Sequence, residues 1–177
     1  RSFEVTMQEE EALNTGDHMQ ELIGWVAMSQ GLAQGEGMLW EAQTTPRSYT
    51  HRVGRAELGT SMNEPTIIAK LGSTFGGDTS NVRIVSTDDS GFEVQVAEEQ
   101  SRDQETRHIR EMISFFALSG TSGSIAADSW HDLPRDPLGE YGQVALNGSW
   151  QTVMLQGQYQ APVVVFSEPS AQGLTPV

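Results

Sequence analysis

The chain has 177 residues and a net charge of −14, from 24 acidic against 10 basic side chains, which argues against nucleic acid or an anionic membrane surface as partner, since both need a positive footprint. It contains no cysteine, which excludes disulfides and thiolate metal sites. No apolar run approaches the roughly 18 residues that a membrane-crossing helix needs, so no membrane insertion is expected.

Residues 3–28, FEVTMQEEEALNTGDHMQELIGWVAM, recur as residues 92–118, FEVQVAEEQSRDQETRHIREMISFFAL. With one inserted residue the copies are identical at nine of 26 positions: Phe3/Phe92, Glu4/Glu93, Val5/Val94, Glu9/Glu98, Glu10/Glu99, His18/His108, Glu21/Glu111, Ile23/Ile113 and Ala27/Ala117. In each copy an alternating apolar run (Phe3, Val5, Met7; Phe92, Val94, Val96) leads into a polar acidic tip, and a second apolar run follows. This period of two predicts a hairpin of strand, long polar loop and strand. His18 and His108 are 90 residues apart, and a repeat of that length makes two units in the chain.

Residues 9–21 crowd Glu9, Glu10, Glu11, Asp17, His18 and Glu21 together, and the second copy keeps Glu98, Glu99, Asp103, Glu105, His108 and Glu111. One reading is a divalent-metal site on each hairpin, with Glu10, His18 and Glu21 in the first and Glu99, His108 and Glu111 in the second. Calcium, which accepts carboxylates and carbonyls from a loop, suits this set better than zinc. Positions three apart on a regular strand face opposite sides, so such a site needs a turn between His18 and Glu21. The other reading is that Glu10 pairs with His18 across the hairpin base, with Glu21 as a further partner, and fixes the register.

Residues 31–50, GLAQGEGMLWEAQTTPRSYT, and the later tract GTSGSIAADSWHDLPRDPLGEYG read as loop with short strands. They hold Trp40, Tyr49, Trp130 and Tyr141, set beside polar groups that include His131. Exposed aromatics of this kind are stacking platforms for sugar rings, which makes these five residues the candidate carbohydrate surface. The alternative is that the rings cover the ends of the fold. Trp25, which aligns with Phe115, reads as packing.

Residues 51–91 give HRVGRAEL, a strand from Pro65, the turn GSTFGGDTSN, the strand VRIV, and Asp-Asp-Ser-Gly before Phe92. Gly91 is expected to end a tight turn. The second half offers QVALNGSWQTVML, with Asn147-Gly148 as a hairpin turn, and then YQAPVVVF. Pro65 matches Pro162, and Val82 matches Val177. The expected units are therefore 1–31, the hairpin part of one repeat; 32–120, a complete repeat; and 121–177, the first part of a further one. Residues 1–31 would complete the last of these, in the same chain or in a neighbour. The alternative is a longer tandem array cut at arbitrary points.

Catalytic patterns are poor. No GxSxG, HExxH or phosphate-cradling loop is present, and no cysteine nucleophile. Glu10/Glu99 with Glu21/Glu111 could pass for a glycosidase pair, but identical active sites duplicated in units this small are rare, and no enzyme is expected.

The order of EPTIIAKL and APVVVFSE, NVRIV, GFEVQVAEE and an aromatic-Ala strand (IGWVAM, SFFAL) resembles the H-type lectin domain. More closely, it is similar to related tandem repeats of large secreted bacterial proteins. The resemblance covers both predicted hairpins and both proline strands, and hardly touches 32–60 and 121–142. It implies compact six-stranded antiparallel β-sandwiches, self-association, and binding of sugars such as N-acetylgalactosamine near subunit contacts. The expectation is an all-β chain of two pseudo-repeated sandwich units, secreted or at the cell surface, acting as a non-catalytic carbohydrate-binding or adhesion module with a cell-surface glycan as partner. Two other functions stay open: a filament or array subunit assembling by strand exchange, and an adhesin stalk rigidified by Ca2+.

Overall fold

The computed structural model describes residues 30–35, 38–102, 104–125, 139–143 and 152–157. Every regular element among them is a strand, and none is a helix. The strands are β1 (Gly31–Gly35), β2 (Met38–Thr44), β3 (Gly54–Glu57), β4 (Thr66–Leu71), β5 (Ser80–Asp88), β6 (Gly91–Glu98), β7 (Ile113–Leu118), β8 (Ser122–Ile125) and β9 (Gly139–Gly142). All pairings are antiparallel, in a four-stranded sheet ordered β1-β2-β7-β4, a three-stranded sheet ordered β3-β6-β5, and the pair β8-β9.

The alternation in β6 sends Phe92, Val94 and Val96 to one face, where all three are buried, and β7 does the same with Ile113, Phe115 and Ala117. Ile67 and Ala69 of β4 lie opposite Ala117 and Phe115, so they share that face of the larger sheet. Ile84 of β5 and Ala56 of β3 join from the smaller sheet, and Met62 joins from the connection before β4. The two sheets thus enclose one core as a β-sandwich. Phe92 and Phe115 meet edge to face across it with centroids 5.0 Å apart. Each such side chain contributes about 1.5–3 kcal/mol by leaving water.

The β5–β6 turn is as expected. One Asp88 carboxylate oxygen accepts from the Ser90 and Gly91 amides at 2.8 and 3.1 Å, and both oxygens take the Arg55 guanidinium at 2.8 Å. The Arg55 fork, together with the Ser90 donors, holds the Asp88 carboxyl far below the usual range. Gly91 cannot carry a side chain, because a Cβ there would collide with the Ala56 carbonyl of the neighbouring strand.

Two expectations change. The predicted hairpin from Phe92 to Leu118 is not a hairpin: β6 and β7 belong to opposite sheets, and residues 99–112 arch from one to the other. Both inner faces are apolar, and facing each other across the core buries them more fully than pairing side by side would. The tract 31–50 is not mainly loop either, since β2 lies between β1 and β7 within the larger sheet. Its inward positions include Glu41 and Gln43, opposite Ala117 and Phe115, which hid the strand's alternation. The sandwich 31–118 therefore has seven strands rather than about six. The first expected hairpin, with Glu10, His18, Glu21 and Trp25, lies outside the described residues, as do Trp130, His131, the Asn147-Gly148 turn and the Pro162 strand.

Candidate functional site

Chemistry-bearing side chains gather where the chain crosses between sheets. Glu98 ends β6 and points into the end of the sandwich. Glu111 stands two residues before β7, where its backbone bridges Tyr49 with N–H to O distances of 2.8 and 3.2 Å. Between them His108 turns inward, with its Nδ1 2.8 Å from Glu98 Oε1 and its Nε2 3.2 Å from Glu111 Oε1. The three side chains are 2% (His108), 4% (Glu98) and 0% (Glu111) exposed.

The connection from β4 to β5 closes over this cluster. Glu111 accepts from the Ser73 hydroxyl and from the amides of Phe75 and Gly76, both at 2.7 Å. Gly76 sits against the imidazole so closely that a Cβ would fall well inside 3.0 Å of the ring. The Ser80 hydroxyl lies 3.5 Å from Nε2. Above the cluster the Arg47 guanidinium stacks 3.7 Å from the Phe75 ring centre and donates to the Arg110 carbonyl at 2.9 Å. His51 approaches the His108 carbonyl at 3.4 Å. Three connections, 46–53, 72–80 and 99–112, are thereby tied together.

The electrostatics follow from the contacts. A neutral imidazole carries one N–H, yet both nitrogens face carboxylate oxygens, so either the ring is doubly protonated or one carboxyl holds the shared proton. Burial pushes the Glu111 pKa up, but the bonds from Ser73, Gly76, Phe75 and His108 outweigh it, and the carboxyl titrates below its ordinary value.

This is not a chelating geometry. The two carboxylates approach opposite nitrogens of the ring, and among the described residues no group of three or more His, Asp or Glu is placed to hold a metal ion. Glu99, expected beside His108, turns away and accepts from the Ser101 amide and hydroxyl at 2.6 and 2.7 Å. Of the expected second set, the structure brings His108 and Glu111 together and puts Glu98 where Glu99 was expected.

The candidate sugar platforms are scattered. Tyr49 is 9% exposed, packs in the core cluster and donates to the Arg55 carbonyl at 2.8 Å, so its ring offers no stacking face. Tyr141 is half-buried on β9, where its hydroxyl donates to the Ser119 carbonyl at 2.6 Å and its ring covers Gly123. Trp40 is half-buried on the outer face of β2, opposite Ala33 and Leu118.

Sequence reasoning missed Glu98, Ser73, Gly76 and Glu41. The repeat marked Glu98 by its match to Glu9, but Ser73 and Gly76 read only as turn chemistry. Glu41 is buried on the inner face of β2, where it accepts from the Gly59 amide at 2.8 and 3.1 Å and from the Gln43 side chain.

Comparison of the chain with protein-family models, with curated proteins and with solved structures finds no match in any of the three, so none of them identifies an H-type-lectin-like domain.

Proposed function

We propose that the chain is a non-catalytic structural and adhesive module of a secreted or cell-surface protein, built from tandem sandwich units of the H-type-lectin-like kind. The observation that supports this most is the fate of Glu98, His108 and Glu111. A histidine with two carboxylates is what a catalytic site would present to solvent, and here the three are sealed in and tie connections together. The acidic surface suits a medium rich in cations and keeps such modules from collapsing on one another.

Carbohydrate binding is the second reading, and half-exposed Trp40 is what favours it. The test is a glycan array on the soluble chain, with and without calcium. No selective binding in either condition is the expected result. A selective glycan whose binding is lost in Trp40→Ala would overturn the structural reading in favour of a lectin.

A further inference from the structure

We propose that copies of this chain associate end to end, the end that carries the connections 46–53, 72–80 and 99–112 receiving the opposite end of the next copy. The proposal goes beyond the adhesive reading above and does not depend on it.

The pairing register defines the two ends. In the smaller sheet Ser80 and Glu98 stand at the first end, Asp88 and Gly91 at the second. In the larger sheet Leu71 and Ile113 stand at the first, Thr66 and Leu118 at the second. Charge is divided between them. At the first end the carboxylates turn inward or are held locally: Glu98 and Glu111 are buried on His108, and Glu99 accepts from Ser101. The guanidinium groups turn outward. Arg47, Arg52, Arg102, Arg107 and Arg110, half of the ten basic residues in the chain, are all exposed there, and none makes an ion pair with a described residue. Exposed acids beside them are Asp78 and Glu105, with Asp103 next in sequence. The second end is the reverse. Glu57, Glu64, Asp88 and Asp89 are exposed around the β5–β6 turn, and Arg55 beside them is already bound to Asp88 and Glu57.

Exposed apolar side chains follow the same division. Among the described residues eight large ones are exposed, and only Leu32 and Val85 lie away from the two ends. Val53, Phe75 and Ile109, each about half exposed, sit one on each connection of the first end, and the Arg47 guanidinium links two of those connections by stacking on Phe75 and bonding the Arg110 carbonyl. Val153, Met154 and Leu155, exposed by 61, 79 and 42%, belong to the second end. Their segment is pinned by the Gln156 and Gly157 amides, which donate to the Glu140 carboxylate of β9 at 2.9 and 2.5 Å. The β8-β9 pair is in turn fastened at the second end by the Gly120 amide on the Asn63 carbonyl and the Tyr141 hydroxyl on the Ser119 carbonyl. Each end thus offers what the other can receive, apolar surface to apolar surface and arginine to carboxylate. Because the two faces differ and lie at opposite ends, the contact is heterologous and adds copies in a row instead of closing a pair. The net charge of −14 does not prevent this. At 0.15 M ionic strength its repulsion decays over ~8 Å, so the facing groups decide, and the surplus disfavours every other approach.

The test is sedimentation equilibrium of the full 177-residue chain over a wide concentration range in about 0.15 M salt. The weight-average mass is expected to keep rising past that of two chains. Arg107→Glu with Arg110→Glu spoils the first end, and Met154→Lys spoils the second. All three side chains are exposed, so both variants should keep the wild-type urea midpoint; Arg52→Glu and Val153→Lys give a second pair at separate exposed positions. Each variant alone should stay at the mass of one chain. An equimolar mixture of the two should reach two chains and stop, because the pair that forms uses the one intact end of each. A wild type that stays at one chain throughout, or levels off at two, overturns the proposal. So does a variant that assembles alone as the wild type does, or a mixture that stays at one chain. A glycan hit would overturn the proposed function without changing any of these masses.

Discussion

Replacing His108 by alanine tests the cluster most directly. The substitution strands Glu98, which loses its 2.8 Å contact, and removes one of the four donors on Glu111. Breaking a buried charge pair by deleting one partner costs about 3–5 kcal/mol. With a urea slope of ~2 kcal/mol per molar, the unfolding midpoint should fall by ~2 M at neutral pH. The pH dependence carries the sharper signature. In the wild type the Glu111 pKa lies below its unfolded value, so its contribution is fully present above the ordinary glutamate range and is lost as the pH falls through the folded value. In His108→Ala, Glu111 loses one of the four donors that hold its pKa down, so the variant has less of this contribution to lose over the same descent. Urea midpoints of the two proteins should therefore converge as the pH falls below about 4.5, the ordinary glutamate value. A shift below ~0.5 M at neutral pH, or a gap unchanged by acid, would refute the view that the three groups act as a compensated buried unit.

Three further outcomes are expected. Tyr49→Phe removes the hydroxyl bond to the Arg55 carbonyl and should cost about 1 kcal/mol in urea unfolding, with no effect on any glycan affinity. Gly91→Ala drives a methyl into the Ala56 carbonyl and should cost about 1–3 kcal/mol, read as a lowered melting temperature, and a neutral result would contradict the close strand approach. Glu41→Leu takes the acceptor from the Gly59 amide and the Gln43 side chain and should cost about 1–3 kcal/mol, whereas Glu41→Gln keeps an acceptor oxygen and should cost less. Equal losses in these two would show that the site needs the charge and not merely the acceptor.

The parts of the fold legible in the sequence were those where one face is wholly apolar. Phe92, Val94 and Val96 announce β6, and Pro65 with the run after it announces β4. Asp88 to Gly91 announces the turn between β5 and β6. What hid β2 was its inward Glu41 and Gln43, because a buried polar pair satisfied by a distant amide looks, in sequence, like an exposed one. The hairpin expectation failed because periodicity tells which residues share a face but not which sheet the strand enters. The arch 99–112 is long enough for either route. The candidate cluster was half legible. Duplication pointed to His108 and Glu111, but which of Glu98 and Glu99 points inward depends on where β6 ends, a matter of one residue. Ser73 and Gly76 act from a segment remote in sequence, and no local pattern links them to a histidine.

The position of β7 also orders the folding of the chain as it leaves the ribosome. Phe115 pairs with Gln43 on one side and Ala69 on the other, so among the described strands β4 has no sheet partner, and β2 only the short β1, until Leu118 has emerged. The neighbouring β5 and β6 can pair early through their tight turn and take up β3. For a while, then, a three-stranded sheet displays Phe92, Val94 and Val96 before β7 is there to cover them. Nascent chains are most prone to stick to one another during that interval. The surplus of negative charge keeps neighbouring copies apart until the last strand slots into the middle of its sheet.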